Sequence, residues 1–132
     1  MIKLLENCNL CPRRCGVNRL KGQLGFCKAG DKVKLARAAL HHWEEPCISG
    51  SAGSGTVFFS NCTLKCVFCQ NSEISQCSIG KEISIDRLAE IFVELQEKKA
   101  LNINLVTPTH YVPQIIEAIK LAKDRGLTIP IL

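Results

Sequence analysis

The spacing of apolar residues changes along the chain, and each change marks an element. Residues 32–40 (KVKLARAAL) begin by alternating polar and apolar positions, as a half-buried strand does; a short helix is the alternative. Residues 55–60 (GTVFFS) form a short continuous apolar run, fit for a strand buried on both faces. Across residues 84–99 the spacing becomes helical. Ile85, Leu88, Ala89, Phe92 and Leu95 share a face with Gln96, and Ser84 stands at the N-cap position. Residues 102–107 (NINLVT) read as another strand. Residues 112–125 read as a second helix with Ile115, Ile116, Ile119, Leu121 and Ala122 inward and Gly126 as its stop. Residues 128–132 (TIPIL) open a third strand of this series. Residues 61–82 read as a long polar loop. Residues 1–31, punctuated by Pro12, Gly16, Gly22, Gly25 and Gly30, read as irregular.

From residue 55 onward, strands alternate with helices. That alternation predicts an α/β fold of parallel β–α units with right-handed crossovers. Loops that follow the strands then leave from one face, where such folds gather their chemistry. Two loops qualify: the one beginning at residue 61, and Thr107-Pro108-Thr109-His110. The division expected is a Cys-rich segment over residues 1–50 and a regular α/β unit over residues 51–132.

Composition narrows the chemistry. The 132 residues carry 17 Lys and Arg against 12 Asp and Glu, a net charge of +5, with no basic run and few aromatics, so nothing points to nucleic acid. No stretch has the length of a membrane helix, and residues 1–6 are too short and polar for a signal peptide. In a chain that is not exported, nine cysteines do not read as a disulfide framework; seven of them cluster as two metal sites in a reducing cytoplasm, with Cys47 and Cys77 left over.

The cysteines fall into two sets. Cys8, Cys11, Cys15 and Cys27 give C-x2-C-x3-C-x11-C, a closed set of four suited to zinc or an auxiliary Fe–S cluster. Buried free thiols are the plainer reading. Cys62, Cys66 and Cys69 give C-x3-C-x2-C with no regular fourth member. Three thiolates hold three irons of a [4Fe–4S] cube and leave one iron open for a small molecule. Phe68 is placed to shield that site. Zinc, with the irregularly spaced Cys77 as a fourth ligand, is the alternative. Cys47 is left over. Arg13, Arg14 and Arg19 read as solvated or as neutralising the thiolates. His41, His42, Glu44 and Glu45 read either as a surface turn or as a segment lying over the cluster, with Trp43 as a packing anchor. The glycines at 50, 53 and 55 lack the Gly-Lys-Ser/Thr ending of a phosphate loop, which excludes nucleoside triphosphate binding there.

The order of motifs CNLCPRRCGVNR (8–19), GFC (25–27), HHWEEPCISG (41–50), GSGTVFFSNCTLKCVFCQNSEIS (53–75) and NINLVTPTHYVP (102–113) resembles the radical S-adenosylmethionine (SAM) superfamily. It is closest to the branch related to pyruvate formate-lyase activating enzyme. The resemblance implies the first half of a partial (β/α)6 barrel, preceded by the small Cys-rich segment. It implies a [4Fe–4S] cluster on Cys62, Cys66 and Cys69 whose open iron binds SAM. Gln70, Asn71, Thr107, Thr109 and His110 are the implied SAM contacts. Thr107-Pro108-Thr109 stands where many members carry a Gly-Gly-Glu-type motif. The implied activity is reductive cleavage of SAM to a 5′-deoxyadenosyl radical, fed by flavodoxin or ferredoxin and acting on a protein substrate. A six-stranded barrel needs three further β–α units, so the chain reads as a truncated gene product or an N-terminal fragment that turns SAM over poorly. The rival reading is a non-catalytic Fe–S or metal-binding module, or an inactive remnant.

Overall fold

The structure, a computed structural model, describes residues 1–132. Its strands are β1 (Val33–His41), β2 (Ser54–Phe59), β3 (Lys81–Ile83) and β4 (Ile103–Val106). Its α-helices are α1 (Pro46–Ser49), α2 (Ser72–Gln76), α3 (Ile85–Glu97) and α4 (Val112–Asp124). The fold is a small mixed α/β unit around one four-stranded sheet of order β3-β1-β2-β4.

Strand β2 lies inside the sheet, which is why its sequence is apolar throughout. Ser54, Gly55, Thr56, Val57 and Phe59 are all buried. Strand β4 pairs with it in parallel, Gly55 opposite Ile103 and Phe58 opposite Val106. The two backbones close tightly at Gly55: a Cβ there would stand 2.8 Å from the Asn102 carbonyl oxygen. The crossover between these parallel strands contains α3. Its N-terminus is set by Ser84, whose hydroxyl accepts from the Arg87 N–H at 3.0 Å. Leu88, Ala89, Phe92 and Leu95 form its buried face, as the helical spacing predicts. This face joins Val57, Phe59, Ile103, Tyr111, Ile115 and Ala118 in one core. Each large side chain so buried is worth roughly 1.5–3 kcal/mol of transfer free energy. Helix α4 opens with Pro113 in its first turn and stops before Gly126, at φ +93°.

One polar residue in this framework, Gln96, is a tether. Gln96 Oε1 accepts from the Thr128 N–H at 2.7 Å and the Ile129 N–H at 3.2 Å, and its amide donates to the Gly126 carbonyl. Residues 130–132 are thereby delivered alongside β4. There Ile103 N donates to Pro130 O and Leu132 N to Ile103 O, both at 2.8 Å, around a parallel bridge at Ile131.

Elsewhere the structure departs from the sequence reading. Residues 33–41 do form a strand, but β1 runs antiparallel to both β2 and β3, so only β2 and β4 follow the parallel scheme. A β1–β2 connection of twelve residues, with only the one-turn α1 inside it, gives a chain reversal and not a helical crossover. Residues 61–82 are not all loop: they hold α2 and most of β3. Trp43 anchors nothing, being 90% exposed. His41 pairs with Ser54 at the start of β2, whereas the Cys62–Cys69 loop follows its end. The segment carrying His42, Glu44 and Glu45 therefore lies at the opposite end of the sheet, about 17 Å away along a six-residue strand. It does not cover that loop. It is a surface turn in which His41 Nδ1 stands 3.6 Å from Glu44.

Candidate functional site

Parallel pairing makes β2 and β4 release their loops from the same end of the sheet. The two loops are bonded to each other there. His110 is 2% exposed, and its Nε2 donates to the Ser60 carbonyl at 2.9 Å. Asn61 Nδ2 donates to the Tyr111 hydroxyl at 3.3 Å. His110 Nδ1 is buried without a partner. Desolvation pushes the pKa of His110 down to about 4; its bond to Ser60 works against the shift and nearby Arg19 adds to it. The ring is accordingly neutral, with its proton on Nε2. Each chain turns sharply on leaving its strand: Asn61 has φ +73° and Thr107 φ +61°. For a β-branched residue such as Thr107 that conformation is strained, and strain of this kind concentrates at functional loops.

Cys62, Cys66 and Cys69 follow Asn61 and are all half-buried. The loop is held by its own bonds. Cys69 N donates to Cys66 O at 3.2 Å, and the Leu64 N–H points at Cys62 Sγ at 3.3 Å. Helix α2 backs it: Gln76 Nε2 donates to Cys66 O, and the Ser75 hydroxyl stands 3.4 Å from Cys69 Sγ. Leu64, Val67 and Phe68 project outward, Val67 fully and Phe68 at 84% exposure. No three His, Cys, Asp or Glu side chains converge closely enough to hold a single metal ion.

The first four cysteines line one narrow cavity together with Arg19, Phe26, Thr63 and His110. Packing around Cys15 is close: the Phe26 N–H approaches its Sγ at 3.5 Å, and a Cβ on Gly25 would stand 2.9 Å from that sulfur. Burial pushes the Cys27 thiol up. The Ala29 backbone and Arg19 counter that rise, while Cys8 and Cys11 add to it. The cavity shares a wall with the second cysteine loop. Arg13 Nε donates to Thr63 O at 3.1 Å, and its guanidinium lies 3.5 Å from the Phe26 ring centroid. Lys65 Nζ, from the other loop, lies 4.7 Å from the same ring.

Of the two readings the sequence left for Arg19, solvated or neutralising the thiolates, burial excludes the first. Arg19 is 1% exposed and makes no ion pair with any carboxylate. Its Nη1 donates to the His110 carbonyl at 2.6 Å and stands 4.0 Å from Cys8 Sγ, and its Nε donates to Gly30 O at 2.9 Å. A buried cation with no anion is costly. The Arg19 guanidinium faces the Tyr111 ring at 5.6 Å, and the thiols of Cys8 and Cys27 are close enough to feel its charge and able to supply the opposite one. The only sequence signal was its position, four residues after Cys15.

The remaining expected site residues sit on the two loops at the same sheet end. Gln70 and Asn71 are exposed just before α2, Thr109 is exposed and Thr107 is half-buried. Cys47 lies in α1, with the opposite loops, and Cys77 is exposed at the end of α2.

A family model described as "4Fe-4S single cluster domain" matches residues 48–130. The chain is 40% identical over 80 residues to the uncharacterized protein MJ0674 of Methanocaldococcus jannaschii, an alignment covering 61% of this chain and 22% of that one. No solved structure matches.

Proposed function

Because the chain belongs to the 4Fe-4S single cluster domain family, with residues 48–130 forming that domain, we propose that its cluster is held by Cys62, Cys66 and Cys69 and serves radical SAM chemistry. One observation carries the reading. The matched region contains a three-cysteine loop at the sheet end where the β2 and β4 loops are bonded together. When bound, a reduced cluster with an open iron supplies the electron that cleaves SAM to methionine and a 5′-deoxyadenosyl radical.

The chain's own residues prepare the place. His110 and Asn61 fix the relative position of the two loops. Ser75 stands close enough to share a hydrogen bond with Cys69 Sγ, and the Leu64 N–H points at Cys62 Sγ; such bonds tune a thiolate ligand. Gln70, Asn71, Thr107 and Thr109 offer polar groups to the amino-acid end of SAM. The barrel that would enclose the rest of SAM, a reducing flavodoxin or ferredoxin, and a protein substrate belong to the same proposal. The first four cysteines form a second metal centre, zinc or an auxiliary cluster. The uncompensated charge of Arg19 supports this, since metal-bound thiolates neutralise it.

Anaerobic reconstitution followed by iron and sulfide analysis tests the ligand set. Cys62→Ala, Cys66→Ala and Cys69→Ala are each expected to abolish the SAM-dependent change in the cluster's spectrum. Cys47→Ala and Cys77→Ala leave it intact. Loss of the cluster in Cys77→Ala as complete as in Cys69→Ala would overturn the open three-thiolate site.

A further inference from the structure

Away from both cysteine sets, the sheet has an unfinished edge. Strand β1 is nine residues long, yet β3 pairs only with Val33, Lys34 and Leu35. From Ala36 to His41 the edge of β1 that faces away from β2 has no backbone partner. A groove of about 540 Å³ lies beside the near part of this edge, lined on β1 by residues 35–38, between β1 and α3 and in the line of β3. It is the space that a longer third strand would occupy. Small side chains, Ala36 and Ala38, leave the β1 backbone accessible, and Ile79, Ile83, Ile91 and Leu95 give the groove an apolar lining. The rim is basic. Arg37, Lys81 and Lys98 form no ion pair, while Arg87 is shared between Glu94, the one carboxylate lining the groove, and Glu90 beside it, which leaves the cations in excess.

We propose that this groove binds an extended acidic segment of a protein partner, which completes the sheet as a strand alongside residues 36–41. Three features select that occupant. Unpaired N–H and C=O groups in a row call for another backbone, and strand addition is the mode that satisfies them. The apolar lining and charged rim accept a strand that alternates apolar and acidic residues, because successive side chains point to opposite faces. The same cations reject a second copy of this chain, whose own net charge is +5 and whose matching edge is equally basic. Six open residues span about 20 Å, so a segment of about six residues fills the edge. The surface lies on the β3 side of the sheet, away from β4 and its loops, and the inference is independent of any metal.

The test uses the 132-residue chain and four fluorescein-labelled peptides. The first is an eight-residue peptide alternating Val with Glu. The second has the same composition with its alternation scrambled, the third is the first N-methylated at alternate residues, and the fourth replaces Glu with Lys. Anisotropy measures binding, and amide hydrogen exchange maps it. The alternating acidic peptide is expected to bind and to slow exchange at residues 36–41. The N-methylated, scrambled and Lys peptides are expected to bind at least tenfold more weakly. Lys81→Glu with Lys98→Glu, both at exposed positions, should lower affinity at least tenfold without changing the circular dichroism spectrum. Three results would overturn the proposal: no binding, equal binding of the N-methylated peptide, which marks a general anion site, or protection of residues 36–41 by self-association without peptide.

Discussion

A guanidinium buried without a carboxylate, as in Arg19, has to draw its counter-charge from something else. Its hydrogen bonds to Gly30 O and His110 O satisfy donors but leave the positive charge. Thiolates at Cys8 and Cys27 remove that cost, and metal binding makes thiolates. Arg19→Met should therefore lower zinc affinity at the first four cysteines at least tenfold, read by chelator competition. In the metal-free chain it should cost no more than about 1 kcal/mol in urea unfolding, because the donor lost by two carbonyls is largely offset by removal of a buried unpaired cation. Arg19→Lys should recover part of the zinc affinity but less of the stability, since an ammonium lacks the planar fork. His110 carries a pH dependence. An unfolded histidine titrates at its ordinary 6.5, whereas the buried ring titrates at about 4. Between those values the unfolded chain binds more protons. Stability is thus complete above about pH 6.5 and falls as pH drops toward 4, by up to about 3 kcal/mol. Urea titrations of reduced, metal-free protein should show that slope, and His110→Gln should flatten it.

Among the elements, α3 is the one that joins sequence pattern most directly to the site. It spans the connection between β2 and β4, and burying its apolar face against both sets their parallel pairing. Its capping hydroxyl at Ser84 satisfies an end N–H, so Ser84→Ala should cost about 1 kcal/mol in thermal or urea unfolding without altering metal content. Gln96 does a different task on the same helix. On periodicity it is only a polar residue beside an apolar face. In three dimensions its side chain holds residues 126–129, which place residues 130–132 beside β4. The expected loop over residues 61–82 resolves into α2 and β3 for reasons its composition hides. Helix α2 is a short turn supporting the cysteine loop, and β3 gains its register only from β1, Val33 opposite Ile83.

For the molecule as a whole, the two cysteine sets are one neighbourhood. Phe26 stands between Arg13 of the first segment and Lys65 of the second loop, and Thr63 belongs to the wall of the first set's cavity. Filling the first site should therefore steady the second loop. Zinc bound at Cys8, Cys11, Cys15 and Cys27, in a chain whose Cys62, Cys66 and Cys69 are replaced by Ser, should slow amide exchange over residues 61–71. Phe26→Ala should remove that protection while leaving zinc bound. No helix in the structure is long and apolar enough to cross a membrane.

Local pattern was enough for what depends on one element at a time. The buried strand β2, helices α3 and α4 with their Ser84 and Gly126 ends, and β4 follow from spacing and from residues whose preferences act within a turn or two. The clustering of seven of the nine cysteines was also legible, since spacing along the chain already sets Cys8, Cys11, Cys15 and Cys27, which line one cavity, apart from the Cys62–Cys69 loop. The parallel pairing of β2 with β4 followed from the β–α alternation, but the direction of β1 did not. Strand β1 shows the alternation of a half-buried strand whichever way it runs, and the short reversal through α1 made it antiparallel. Nor could spacing place the HHWEE turn, because its distance from the cysteine loop depends on which end of β2 it meets. Arg19, Arg13 and Arg14 look alike along the chain. Only the packed structure sends Arg19 inward, against carbonyls contributed by residues 11 and 91 positions away, and leaves the other two outside. Charge becomes consequential where burial removes water, and burial is a property of the assembled fold.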